Sequence, residues 1–182
     1  MTTSYAPNLS HVGVCCFDID KMIHFYGSVF GLQLTDKGPG KTFPFMLAFM
    51  SSTPEQHHQL AFSQNRPEGA PSTVMQLSFK VQTIDQLREA RARALQHGAT
   101  KMRNLNHGNA LSIYFMDPED NLVEVYLDTP WYVTQPHGDP LDLNDSDEKI
   151  WADTEKVVRA DPTFQPVNEW ATQFNQRQSA RP

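Results

Sequence analysis

Cysteine is scarce in this sequence: two residues in 182, Cys15 and Cys16, and they are neighbours. Successive strand side chains point to opposite faces, and a bond between adjacent cysteines would be strained. A disulfide scaffold is therefore not expected, and the pair reads as two reduced thiols of a cytoplasmic protein. The first expectation for both is burial in a core, since free cysteine is among the most buried residue types. Long apolar runs are missing too, and nothing approaches the roughly 20 residues needed to span a bilayer. The start, MTTSYAPNLS, has neither a basic n-region nor an apolar h-region, so no signal peptide is expected. Basic clusters are lacking, and the formal net charge is -6. That balance argues against a nucleic-acid binder and serves solubility instead. Hydrophobic content is 39%, a little low, which points to a polar tail. The length suits one domain, or two small modules fused, with enough chain to bury a core.

An internal repeat is present. HVGVCCFDIDKMIHFYGSVFGLQL, from His11, aligns with QLSFKVQTIDQLREARARALQHGA, from Gln76. Ile19-Asp20 lies 8 and 9 residues after His11, and Ile84-Asp85 lies 8 and 9 residues after Gln76. Each pair follows a strand-like run and opens a helical pattern. Asp20 and Asp85 suit the helix start, where a carboxylate meets free N–H groups and the positive dipole end. Each helix closes near a glycine, Gly31 or Gly98. Strand-like segments follow at 32–35, 43–50 and 58–62 in the first half, and at 100–104, 110–116 and 122–127 in the second. SQNRPEGAPS is the linker, and DPEDN is the turn before the last strand.

The repeat sets residues in register. His11 and Gln76 open the two first strands. His58 lies 47 residues after His11 and Glu124 lies 48 after Gln76, so these two are expected to be equivalent within one residue. Four side chains able to coordinate a metal or relay protons thus occupy the four related positions. Two histidines and a carboxylate with open positions suit a non-haem iron or a similar divalent metal.

LSHVGV, HHQLAF and HGNALSIYFMDPEDNLVEVYLDTPWY, with the two halves themselves, resemble the vicinal-oxygen-chelate superfamily of glyoxalases, fosfomycin-resistance proteins and extradiol dioxygenases. The resemblance covers roughly residues 8–132 and is greatest to single-domain relatives of catechol 2,3-dioxygenase. It implies an α+β fold of two βαβββ modules, at 8–63 and 72–132, forming a curved sheet cup around one metal site. An acidic, partly helical extension at 133–182 would follow. The resemblance implies His11 and Glu124 as ligands of Fe(II), or of Mn(II) or another divalent metal. It implies His58 as the proton-shuttling histidine, Tyr114 as a donor near the substrate oxygens, and His107 and His57 as substrate contacts.

Gln76 departs from the pattern, because the family's second histidine ligand belongs there. Three outcomes follow. Gln76 ligates beside His11 and Glu124 with water completing the set; His57 or His58 moves in; or the metal site is weak. The activity implied is extradiol cleavage of a catechol-like diol with O2. The alternatives are a glyoxalase-like metal-dependent isomerase or lyase, and a metal-free small-molecule binding protein. A homodimer or larger homo-oligomer is implied, with no nucleic acid and no membrane.

In the extension, 146–159 reads as a helix capped by Ser146, with Trp151, Val157 and Val158 as its apolar stripe. A shorter helix is expected at 167–174 with Trp170 and Phe174 as anchors, then frayed final residues, NQRQSARP. This tail is expected to pack across the module or a partner subunit, over the cleft.

Overall fold

A computed structural model of the chain describes residues 7–72 and 74–179. It is α+β and built on the repeat. β1 (Val12–Cys16), α1 (Ile19–Phe30), β2 (Gln33–Pro39), β3 (Met46–Ser51) and β4 (Leu60–Gln64) form the first motif. β5 (Leu77–Lys80), α2 (Ile84–Gln96), β6 (Thr100–Asn106), β7 (Ala110–Met116) and β8 (Leu122–Asp128) form the second. The sheet orders are β1-β4-β3-β2 and β5-β8-β7-β6. In each, the first strand runs parallel to the last and the other pairs are antiparallel.

The helices start at the isoleucine of each Ile-Asp pair, as the sequence suggests, and the N-cap stands one residue before it. Asp18 is the N-cap of α1 and accepts from the Lys21 N–H, and Thr83 is the N-cap of α2 and accepts from the Gln86 N–H. Asp20 and Asp85 therefore sit inside the first turn, where their charge still meets the dipole. Gly31 ends α1 at φ 70°, the left-handed conformation a C-terminal glycine supplies.

The chain divides into two compact units. The first holds the chain up to Met75 together with the turn Asp117–Asn121; the second holds Gln76–Met116 and everything from Leu122 on. In the first unit, Val14, Cys16, Phe62, Ala48 and Met50 meet Met22, Phe25, Tyr26 and Val29 of α1 in a dry core. In the second, Leu111, Ile113, Phe115, Val123, Val125 and Leu127 form the face on which Ile84, Leu87 and Ala94 of α2 pack. Burying such side chains is the main driving force for each layer.

The turn is tied into the first unit by buried polar groups. Tyr26 donates its hydroxyl to Asp117 Oδ2 at 2.9 Å. Glu119 accepts from the Phe17 and Asp18 N–H groups at 3.0 and 2.7 Å. Arg66, from the linker, donates to Asn121 Oδ1 at 3.0 Å, to Glu119 Oε2 at 3.1 Å, and to the Glu119 carbonyl. Asp117 Oδ1 accepts from the Glu119 and Asn121 N–H groups, closing the turn on itself.

The C-terminal extension belongs to the second unit. β9 (Trp131–Tyr132) pairs with β10 (Gln165–Pro166), and between them α3 spans Asp147–Ala160. Ser146 caps α3, as its sequence suggests, but the buried stripe is Ile150, Thr154 and Val158. Those three stand at i, i+4 and i+8 on one helix face, whereas Trp151 and Val157 flank it. Thr154 belongs there because its hydroxyl accepts from Asn106 Nδ2 at 2.9 Å and donates to the Ile150 carbonyl. α4 (Val167–Ser179) runs past the expected end at 174, so Asn175–Ser179 of the supposedly frayed stretch are helical; 180–182 lie outside the described residues. Trp170 stacks on Tyr132 at 5.4 Å and on Phe174 at 5.5 Å.

Candidate active site

Alternation along β8 sorts its side chains by face. Val123, Val125 and Leu127 go into the apolar layer, so Glu124, Tyr126 and Asp128 share the opposite face. Across the ladder, Tyr114 pairs with Glu124, Ser112 with Tyr126 and Ala110 with Asp128. On the other side β5 sets Ser78 beside Glu124 and Lys80 beside Tyr126. One face of this sheet is therefore a field of polar groups.

Glu124 lies at its centre, 8% exposed, and a carboxylate there must be fully hydrogen-bonded to persist. It is: Oε1 accepts from Ser112 Oγ at 2.9 Å and Tyr114 OH at 2.6 Å, and Oε2 from Ser78 Oγ and Gln76 Nε2, both at 2.8 Å. Gln76 also turns its amide nitrogen to Ser78 Oγ at 2.8 Å. That orientation leaves the Gln76 carbonyl oxygen as its ligand-competent atom.

Tyr114 extends the network. Burial, then the neighbouring Glu124 carboxylate, holds its hydroxyl well above the ordinary phenol value, so it stays a neutral donor. The Arg103 guanidinium lies 4.8 Å from its ring centre. His107 Nε2 is 2.7 Å from the Tyr114 oxygen. His107 Nδ1 is 2.7 Å from the His137 carbonyl, which can only accept, so Nδ1 carries a hydrogen, and the one hydrogen of the Tyr114 hydroxyl is shared between His107 Nε2 and Glu124 Oε1. The loop that carries His107 needs Gly108: φ is 73° and a Cβ there would meet Val133 Cγ2 at 2.5 Å.

A cavity of about 290 Å³ opens on this face, lined by His107, Asn109, Ala110, Glu124, Tyr126, Asp128 and Gln135. Gln135 comes from the C-terminal extension and donates to the His107 carbonyl at 2.9 Å and to Asn109 Oδ1 at 3.2 Å.

The first unit holds the histidines. His11 stands immediately before β1, and its ring centre is 4.3 Å from that of His58. His57 Nε2 lies 2.7 Å from Asp36 Oδ2, and its Nδ1 lies 3.0 Å from His58 Nδ1. The carboxylate accepts, so His57 carries its hydrogen on Nε2. His57 Nδ1 and His58 Nδ1 share one hydrogen, and with it on His58 the lone pair of that ring lies on Nε2. Burial first, then the nearby His11 and His57, holds His58 below its ordinary value, and the ring is neutral at pH 7. Phe49 packs against it with ring centres 5.0 Å apart.

The expected equivalence of His58 and Glu124 does not hold. Val12 pairs with Leu60, an offset of 48, whereas Leu77 pairs with Val123, an offset of 46. By register the counterpart of Glu124 is Ala61, and the counterpart of Tyr114 is Phe49. His58 stands before β4, in the approach to it.

Gln76, Glu124, Tyr114 and His107 are thus gathered in the second unit, and His11, His57 and His58 in the first. Sequence reasoning missed Ser78, Ser112, Arg103, Asp128, Gln135 and Asp36. Ser78 and Ser112 had a signal: each lies two residues from a named strand position, hence on the same face. Asp36 and Gln135 had none, since long-range pairing brings them in.

The donor chemistry fits a divalent cation. A carboxylate held by four donors and an amide oxygen beside it are ligands that Fe(II) or Mn(II) accepts. Among the described residues no three His, Cys, Asp or Glu side chains gather closely enough to hold an ion alone. Cys16 takes no part: burial pushes its thiol up to about 12, far from a reactive thiolate.

A family model for the glyoxalase/bleomycin resistance protein/dioxygenase superfamily matches residues 8–125. The chain is 26% identical over 128 residues to biphenyl-2,3-diol 1,2-dioxygenase 3 of Rhodococcus globerulus, a match covering 67% of this chain and 64% of the relative's length. Its fold is similar to the fosfomycin resistance protein FosX of Listeria monocytogenes, solved with Mn(II) and sulfate: 20% identity, TM-score 0.53, 68% of this chain and 94% of that one. It is similar as well to a glyoxylase/bleomycin resistance protein/dioxygenase domain of Frankia sp. EAN1pec, at 17% identity and TM-score 0.55, over 68% of this chain and 93% of that one.

Proposed function

The chain belongs to the glyoxalase/bleomycin resistance protein/dioxygenase superfamily, and from that premise we propose that it is a metal-dependent extradiol dioxygenase cleaving a catechol-like aromatic diol. The observation that carries the reading is the chain His107–Tyr114–Glu124, with 2.7 and 2.6 Å between successive polar atoms. The phenol can turn its one hydrogen from Glu124 to an oxygen of a bound diol, because Gln76, Ser78 and Ser112 still donate to the carboxylate. The curated relative that acts on biphenyl-2,3-diol supports the same class.

In this reading Fe(II), or Mn(II), is held by His11, Gln76 and Glu124. When bound, the metal supplies Lewis acidity and a template for the diol and O2. His58, with its lone pair on Nε2, takes the proton a diol hydroxyl gives up on binding and returns it later in the cycle. Tyr114 orients the diol oxygens by donating its hydrogen, and Ser78 and Ser112 keep Glu124 fixed while it does so. His107 and His57 contact or orient the substrate side. We place the protein in the cytoplasm as a homodimer or larger homo-oligomer; among the described residues no helix is long and apolar enough to cross a membrane.

Gln76 favours a second reading, a glyoxalase-like isomerase or lyase that uses the metal without O2. One experiment separates them. Protein reconstituted with Fe(II) without air is given a panel of catechols, and O2 uptake and the yellow ring-opened product are followed. Stoichiometric O2 uptake with product supports ring cleavage. Turnover with Ni(II) or Zn(II) and no oxygen supports the second reading, and no uptake across the panel sinks the first.

A further inference from the structure

The cavity beside Glu124 is described by its charges. Its lining carries two carboxylates, Glu124 and Asp128, and no lysine or arginine. Apolar surface makes up more than half of the lining, Ala110 and the Tyr126 ring included, and Asn109, Gln135 and His107 supply polar edges. With a metal ion on Glu124, the carboxylate left to a substrate side chain is Asp128, and an anionic side chain would face its like charge at a free-energy penalty.

Glu124 and Asp128 lie four residues apart on one face of β8, on the order of 13 Å along the strand. A diol ring held at the Glu124 end, with a side chain of two or three atoms, spans that interval. At the far end space is available because the cross-strand neighbour of Asp128 is the small Ala110. Asp128 is partnered from outside the cavity: Lys80 donates its ammonium to Oδ2, which leaves Oδ1 for a ligand. The pair is about half exposed, so its ammonium competes with solvent as well as with any incoming group.

We infer that Asp128 is a specificity-determining residue that selects a diol whose side chain ends in a cation, with Lys80 as the internal cation that moderates the selection. The substrate class is then an aminoalkyl catechol, with neutral donors second and carboxylated catechols rejected. This rests on the diol-cleaving reading and adds the chemistry of the tail to it.

The test is direct binding, with turnover prevented. Protein reconstituted with Mn(II) without oxygen is titrated calorimetrically, at low salt, with 4-(2-aminoethyl)catechol, 4-propylcatechol and 3,4-dihydroxyphenylacetate. The amine is expected to bind at least about tenfold more tightly than the carboxylate, with the propyl compound between them. Asp128→Asn brings the amine-to-carboxylate ratio to within about twofold. Lys80→Met acts oppositely, removing the competing ammonium and widening the ratio. A merely structural role for either residue would shift all three ligands together. Equal affinities in the parent protein, or a ratio that Asp128→Asn leaves unchanged, overturns the inference and leaves ring cleavage standing. Binding of none of the three overturns both.

Discussion

Tyr114 is the residue on which the second unit's polar chain turns, because its single hydroxyl meets both Glu124 and His107. Tyr114→Phe removes the hydroxyl and keeps the ring under Arg103, so the fold is expected to survive. Under the ring-cleavage reading kcat falls about 100-fold, the lower end for a positioned proton donor, with KM changed far less. Steady-state O2 uptake checks it. Because the hydroxyl is held above its ordinary value of 10.0, no alkaline limb from this group is expected below pH 10 in the parent profile. Glu124 shows why the sequence was informative here. A carboxylate between Val123 and Val125 in a strand needs a reason, and the structure supplies four donors. The serines that provide two of them carry no such oddity, since serine is unremarkable on a strand.

At the scale of elements, the order strand–helix–three strands was legible twice because hydrophobic period and turn residues agree locally. The offset between paired strands was not. It depends on hairpin lengths, and the two motifs differ by two residues, which is why the apparent counterpart of Glu124 was misread as His58. The helix starts at Ile19 and Ile84 were legible, but the capping residue was misplaced by two positions, because an aspartate inside the first turn looks like a cap in sequence. α3 gives a prediction of its own. Thr154 stands in its apolar stripe and is joined to Asn106 of β6. Thr154→Val keeps the volume and leaves the Asn106 amide unsatisfied in a buried setting, so stability is expected to fall by about 1–2 kcal/mol. Urea unfolding of the intact chain measures it, and a midpoint unchanged within error would contradict the assignment.

At the scale of the molecule, what matters is that sequence order and spatial units differ. DPEDN was readable as a turn, and Asp120 at φ 59° behaves as turn residues do. Its membership of the first unit could not be read, since it rests on Arg66, Tyr26 and two backbone N–H groups far away in sequence. Arg66 and Glu119 are both nearly inaccessible, with side chains 4% and 0% exposed. Arg66→Met strands a buried carboxylate and is expected to cost about 3–5 kcal/mol, whereas adding Glu119→Gln, which removes the charge and keeps an acceptor for the Phe17 and Asp18 N–H groups, restores part of it. Chemical denaturation of both variants makes the comparison; equal losses would mean the pair is not the source. The turn has a consequence for the history of such a chain. A duplicated gene ordinarily leaves two copies free to diverge, separate or be shuffled among other proteins. Here the second copy lends five residues, Asp117–Asn121, to the first. A cut in the linker would take from the first half the partners of Tyr26, Arg66 and the capping end of α1, so neither half is inherited alone without loss.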